Sequence, residues 1–462
     1  MKNIKDYFRK VRKKEIVIIP GVFFLILIFS ISGFTQTLEE QVDEYISPYI
    51  QMERFSGSIL VAQKGEKLLS KGYGIANYEH TVPNTPNTKF RLGSLTKQFT
   101  AMAIMQLQER GLLNVADSII NYLPDYPEEV GKMITIHHLL THTSGIPDFT
   151  QLSDFQKTKK LPSTIEETIA RFKDKELEFS PGEKYSYSNS GYILLGAMIE
   201  KVSGQSYENF LQENIFQPIR MADSGYDHHR TVLQDRAAGY VLSDEGMNNA
   251  DYIDMSVPHG AGALYSTVED LYLWDQALYT EKLVNRKTMQ KIFTPFKESY
   301  GYGWKINNHF NHKVVTHQGG INGFAAHIAR YPEDDVCIIA LANIEGAPIT
   351  QIGKDLAAIV FGEKYDIPQE RLSIEIDTEI YDSYVGEYLL KEDYVIEVSR
   401  ENDHLFAQPT GQQKYEIYPE SETKFFLKVA DIEIIFIQNE QDEVSGLIMR
   451  QGGKEIPAKK IN

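Results

Sequence analysis

The stretch from Ser94 to Arg110 constrains the fold most. Its pattern predicts a helix over 94–110 that stops at Gly111. Residues 101–105, Ala-Met-Ala-Ile-Met, are apolar on every face. Such a helix belongs in the middle of a domain, covered on all sides. With 462 residues, 42% of them hydrophobic, the chain can build that core and a second folded unit besides.

Further helices are expected over 39–52, 163–172, 191–202, 207–215, 267–279 and 348–361. Thr267 and Asp270 stand in capping-box-like positions. GSILVAQKGEKLLSKGYGIAN reads as a hairpin that turns at Lys64-Gly65-Glu66. Late in the chain come HKVVTH, FAAHIARY and VCIIALAN, with a turn at Pro332-Glu333-Asp334-Asp335. Strands first and last, with helices between, predict an α+β domain whose sheet is completed by both ends. A charged segment over 363–378 reads as a linker. YVIEVS, HLFAQP, YEIYPE, KFFLKV, IEIIFIQ and SGLIMRQ then predict a small antiparallel sheet or barrel over 379–462.

The first fifteen residues hold seven Lys/Arg and two Asp/Glu, and residues 16–34 carry no charge. A run of that length can span a bilayer. The basic flank stays inside, so the body is expected outside the membrane. Residues 1–37 therefore read as a basic region plus a cleaved signal or an uncleaved anchor. Ser30-Ile31-Ser32 offers small residues for cleavage. The formal net charge of -17 argues against a nucleic-acid partner. The single cysteine, Cys337, lies in an apolar strand-like run and reads as core.

Three short words carry chemistry. Ser94 and Lys97 share one helix face. A serine at a helix start lies among free backbone N–H groups that favour negative charge. A buried lysine loses its charge more easily and can take the serine proton. Tyr187-Ser188-Asn189 precedes the helix at 191. A tyrosine beside a lysine has its anion favoured, so Tyr187 can be base and then acid. Tyr185 shares its alternation parity and is a rival. Asn189 can hold a substrate amide. His317 ends a strand and is followed by Gln318, Gly319 and Gly320, whose glycines let a substrate approach closely. A backbone N–H there, paired with that of Ser94, would make an oxyanion hole.

Ser421-Glu422-Thr423-Lys424 repeats the first spacing, but no helix follows it, and it is discarded. No G-x-S-x-G word occurs. His138 and His142 lack the zinc-protease glutamate and read as structural, and His228-His229 lacks a ligand set. No metal, cofactor or phosphate loop is expected.

As a set, FRLGSLTKQFTAMAIMQLQERG, TIHHLLTHTSGIPDF, FSPGEKYSYSNSGYILLGAMIEKVSG and GAGALYSTVEDLYLWDQAL resemble the serine β-lactamase and penicillin-binding-protein superfamily. The likeness is to its class C and D-Ala-D-Ala carboxypeptidase branch, over 38–362. It implies an antiparallel sheet of five or more strands flanked by helices, an all-helical lobe, and a site between them. It implies Ser94 as nucleophile, Lys97 as base, Tyr187 as second proton carrier and Asn189 as amide contact. His317, Gln318 and Gly319 would contact substrate, with the N–H groups of Ser94 and Gly320 forming the oxyanion hole. His317 stands where the lactamase branch has lysine, and Gln318 replaces a hydroxyl residue. The C-terminal β unit resembles accessory domains of such hydrolases.

The expected activity is hydrolysis of amides or esters through a Ser94 acyl-enzyme, on cell-wall-type peptides or D-amino-acid amides. Small-ester hydrolysis and penicillin sensing without turnover are the alternatives. A cationic His317 would make activity on carboxylate substrates fall as pH rises through its titration.

Overall fold

The first and last predicted strands of the α+β region lie side by side in one sheet. The computed structural model describes residues 36–461, apart from 244, 392–393, 412–413, 431, 440, 442 and 452–453. The sheet is antiparallel and has six strands: β1 (Gly57–Gln63), β2 (Glu66–Tyr73), β3 (Lys305–His309), β4 (His312–Ile321), β5 (Phe324–Tyr331) and β6 (Val336–Ala342). Their order is β3-β4-β5-β6-β1-β2. Pairing from Gly57↔Ala342 to Gln63↔Val336 joins the early hairpin to the late strands. Lys64 and Gly65 both have positive φ, 52° and 78°, as a two-residue hairpin loop of the right twist requires.

Five helices matter to the site: α1 (Leu38–Gln51), α2 (Thr96–Glu109), α3 (Asn189–Ser203), α4 (Val268–Ala277) and α5 (Ile349–Phe361). Strand residues alternate between two faces. Ile59, Val61, Ile338 and Ala340 pack with Ile46 of α1 and with Ile352 and Leu356 of α5. Leu60, Ala62, Ile339 and Leu341 share the opposite core with Phe99 and Met102 of α2 and with Ile193 and Leu194 of α3. Every residue from Thr96 to Leu107 is buried, as the all-round apolar pattern requires. Truncating Phe99 to Ala is expected to cost about 3–5 kcal/mol. From Thr96 to Ile219 every regular element is a helix, and Ser118↔Thr135 is an isolated bridge.

Several element ends differ from expectation, and two of them and one cap bear on the packing. The helix expected from 94 opens with a tight turn, Gly93–Leu95, and becomes α-helical at Thr96. The helix expected over 207–215 ends at Leu211 and widens into a π turn, Gln212–Phe216. Thr267 caps α4 by accepting from the Asp270 N–H, 3.0 Å. The reciprocal half of that box is absent, because the Asp270 carboxylate accepts from Asp223 N and Ser224 Oγ.

Beyond α5, eight strands from Gly386–Lys391 to Lys454–Lys460 form a closed barrel. The six predicted runs are all strands. The two missed ones pair with each other, Tyr388↔Lys460 and Leu389↔Lys459, and so close the barrel. Three lysines and Pro457 hide the second of them from a hydrophobic-alternation reading. The discarded copy Ser421/Lys424 is a barrel turn, where Ser421 Oγ accepts from Lys424 N at 3.0 Å. Cys337 is 2% exposed in β6.

The apolar run 16–34, read as a membrane segment, lies outside the described residues. Among the described residues, no helix is long and apolar enough to cross a membrane.

Candidate active site

Two glycines let strand β4 press against the turn that carries Ser94. Gly93 has φ +51°, and a Cβ there would stand 2.7 Å from Gly320 O. A Cβ on Gly319 would stand 2.0 Å from Leu92 O and 3.0 Å from Ser94 N. Only glycine permits this approach. It brings the backbone at Gly320 beside the Gly93–Leu95 turn that carries Ser94.

Lys97 lies one turn on and is fully buried. Its Nζ donates to Ser94 Oγ at 3.0 Å, Asn189 Oδ1 at 2.8 Å and Ala261 O at 2.9 Å. Three N–H groups thus meet three acceptors. Burial pushes the Lys97 ammonium down to about 7, opposed by the Asp148 carboxylate.

Tyr187 donates from its hydroxyl to Ser94 Oγ at 2.8 Å. Its ring lies 4.2 Å from that of His142. Burial raises its phenol, so the expectation that the neighbouring lysine favours the anion is corrected. Desolvation outweighs the hydrogen bond to Ser94, and Tyr187 is a protonated donor. The rival Tyr185 packs on the rings of His142 and Tyr300 instead, and burial pushes it up to about 12.

Asn189 opens α3. Its Oδ1 accepts from Lys97, and its Nδ2 donates to Asp148 Oδ2 at 2.9 Å and Thr150 Oγ1 at 3.4 Å. Expected to hold a substrate amide, it has both ends engaged within the protein.

His317 is 5% exposed. Its Nδ1 lies 2.7 Å from Gln318 O, a carbonyl that can only accept, so Nδ1 carries the proton. Nε2 therefore accepts from the Tyr300 hydroxyl, 2.9 Å away. Burial, with Lys97 nearby, pushes His317 down to about 3. His317 is therefore held neutral at neutral pH. Gln318 points the other way: its Oε1 accepts from Thr350 Oγ1 of α5 at 2.7 Å. Strand alternation puts it on the opposite face from His317, so its expected substrate contact is corrected.

The other histidines singled out in the sequence have structural partners. Thr135 and His138 cap a short helix reciprocally. His142 Nδ1 accepts from Ser188 N at 3.2 Å. His228 pairs with Glu208, and His229 with Tyr252. Among the described residues, no group of His, Cys, Asp or Glu could hold a metal.

Residues 35–360 match the Beta-lactamase family, and 370–460 match a domain of unknown function, DUF3471. The chain belongs to the beta-lactamase family. Penicillin-binding protein 4* of Bacillus subtilis (strain 168) is 32% identical over 446 residues, 91% of this chain and 97% of that protein. The octameric penicillin-binding protein homologue from Pyrococcus abyssi has a TM-score of 0.65 at 29% identity, covering 91% of this chain and 99% of its own. The D-amino acid amidase from Ochrobactrum anthropi shares the fold, with a TM-score of 0.62 at 23% identity over 70% of this chain and 97% of its own. The chain is thus a β-lactamase-related serine hydrolase with an appended β-barrel.

Within this beta-lactamase-family site, two residues escaped the sequence reading. Asp148 stood in the phrase GIPDF, a lone carboxylate in a short apolar turn, and that was a usable signal. Tyr300 follows a charged loop, and nothing in KESYGYGW marks it as the partner of His317.

Proposed function

We propose that the chain hydrolyses amide or ester bonds through an acyl-enzyme on Ser94, with cell-wall-type peptides or D-amino-acid amides as the leading substrates. One observation carries this: Ser94 Oγ lies between Lys97 Nζ and the Tyr187 hydroxyl, at 3.0 and 2.8 Å.

A neutral Lys97 keeps two N–H bonds on Asn189 Oδ1 and Ala261 O. That leaves its lone pair facing Ser94 Oγ. With Lys97 near 7, a large fraction is neutral at pH 7. As Ser94 Oγ attacks the carbonyl carbon, its proton passes to Lys97. The carbonyl oxygen becomes an oxyanion between the N–H groups of Ser94 and Gly320. When the C–N or C–O bond breaks, Tyr187 gives its proton to the leaving atom and recovers one from Lys97. Water then cleaves the acyl ester, its proton taken by the same pair.

Two facts favour substrates without a required carboxylate, small esters among them. His317 is neutral, and Gln318 faces away. Resemblance to penicillin-binding relatives supports the peptide reading. A fluorescent penicillin or phosphonate should label the wild type, and Ser94→Ala should abolish the label. A label that persists in Ser94→Ala would overturn the assignment.

The basic start and the apolar run 16–34 support export, with the catalytic domain over 38–362 and the accessory domain over 379–462 outside the membrane. Retention in washed membranes would mark an anchor, and release a cleaved signal. Recovery of the full-length chain from the cytosol would overturn export.

A further inference from the structure

We propose that Asp148 is a positioning residue that acts through Asn189 to aim the general base Lys97 at Ser94, a role that rests on the acyl-enzyme reading above. A side-chain amide has an accepting end and a donating end, and packing alone does not decide which way it faces. Asn189 lies between an ammonium, which only donates, and a carboxylate, which only accepts. Nδ2 turns to Asp148 Oδ2 at 2.9 Å, so Oδ1 must turn to Lys97 Nζ at 2.8 Å. Flipping the amide would set donor on donor at Lys97 and acceptor on acceptor at Asp148. Asp148 therefore dictates the orientation. With Oδ1 holding one Lys97 N–H and Ala261 O holding another, the third position of the nitrogen faces Ser94.

Asp148 is itself fixed independently of Asn189. Its Oδ1 accepts from Thr150 N at 3.0 Å. The flanking backbone is clamped to the first turn of α3 through Ser190: Phe149 N donates to Ser190 Oγ at 2.9 Å, and Ser190 Oγ donates to Pro147 O at 2.7 Å. Thus one short loop carries the carboxylate, and the start of α3 carries the amide it orients. The carboxylate also opposes the loss of charge that burial imposes on Lys97.

The test follows the rate of Ser94 acylation against pH in the full chain, with a fluorescent penicillin or phosphonate as probe. Asp148→Asn keeps the shape but removes both the charge and the one-way acceptor. Its plateau should fall by at least about tenfold. Its acid limb should move to lower pH, because Lys97 loses a neighbouring anion. Asp148→Glu keeps the charge and misplaces it, so its plateau should fall while its acid limb stays. In an Asn189→Ala background, Asp148→Asn should have little further effect on the plateau. An unchanged plateau and limb in Asp148→Asn, or an undiminished effect without Asn189, would overturn the role of Asp148 alone. Wild type that forms no Ser94 adduct at any pH would overturn both this role and the acyl-enzyme reading. Should Asp148→Asn fail to fold, the limb and plateau of Asp148→Glu decide, and a shifted limb or an unchanged plateau there contradicts the proposal.

Discussion

The Tyr300 hydroxyl donates to Nε2 of His317 across 2.9 Å. Both ring nitrogens of His317 are thus used within the protein, and the ring is neutral at physiological pH. A neutral, engaged histidine cannot supply the permanent positive charge of a lysine. Losing a charge-assisted hydrogen bond costs about 1.5–3 kcal/mol, roughly ten- to hundredfold in kcat/KM. Peptide substrates ending in a free carboxylate or in its amide should therefore differ by less than about tenfold. A larger preference for the free acid, measured as kcat/KM, would show that a cation the account leaves out reads the carboxylate.

Tyr187 is a protonated donor on Ser94 Oγ. An amide needs its leaving nitrogen protonated, whereas p-nitrophenolate leaves unaided. Tyr187→Phe should lower amide hydrolysis by about 10²–10⁴-fold and aryl-ester hydrolysis much less. Equal losses on both substrates would assign the hydroxyl to positioning Ser94.

Gly319 leaves no room for a side chain, since a Cβ would meet Leu92 O at 2.0 Å. Gly319→Ala must push β4 away from the Ser94 turn and open the oxyanion hole. A loss on the order of 10²-fold in kcat is expected, with a lowered Tm. Unaltered kcat would mean that Gly320 takes no part in binding the oxyanion.

His142, His317 and His327 are buried, and burial holds all three below their usual range, His317 and His327 at about 3. Their unfolded forms take up protons near 6.5, so the unfolded state binds more protons between about 6.5 and 3. Stability should then fall as pH drops through that window, by up to about 1.4 kcal/mol per pH unit for each group. Denaturant unfolding at pH 7 and 5 measures the slope, and His327→Leu should reduce it. An increase in stability on acidification would contradict the burial of neutral rings.

Sequence pattern alone revealed much of the fold, because its strongest signals are local. An all-round apolar helix has few places to go, and Lys64-Gly65 fits a tight hairpin. The last barrel strand was hidden because its lysines and proline break the alternation. At the site, Ser94, Lys97 and Tyr187 were nameable from residue type and order. The direction of Tyr187 titration was not, since it depends on how much water the fold removes. The facing of Gln318 turned on strand β4 running through His317 to Ile321, where the sequence suggested an end. Asp148 and Tyr300 act through contacts 41 and 17 residues away along the chain, which no local pattern encodes.

If Ser94 is acylated with neutral Lys97 as its base, the rate of acylation must follow the titration of that lysine. Adduct formation, located by peptide mass spectrometry and timed from pH 5 to 9, should occur on Ser94. Its rate should rise about tenfold per pH unit before levelling near 7, where Lys97 loses its proton. Lys97→Met should remove the rise together with most of the rate. A rate independent of pH, an adduct on another residue, or an unimpaired Lys97→Met would contradict the account.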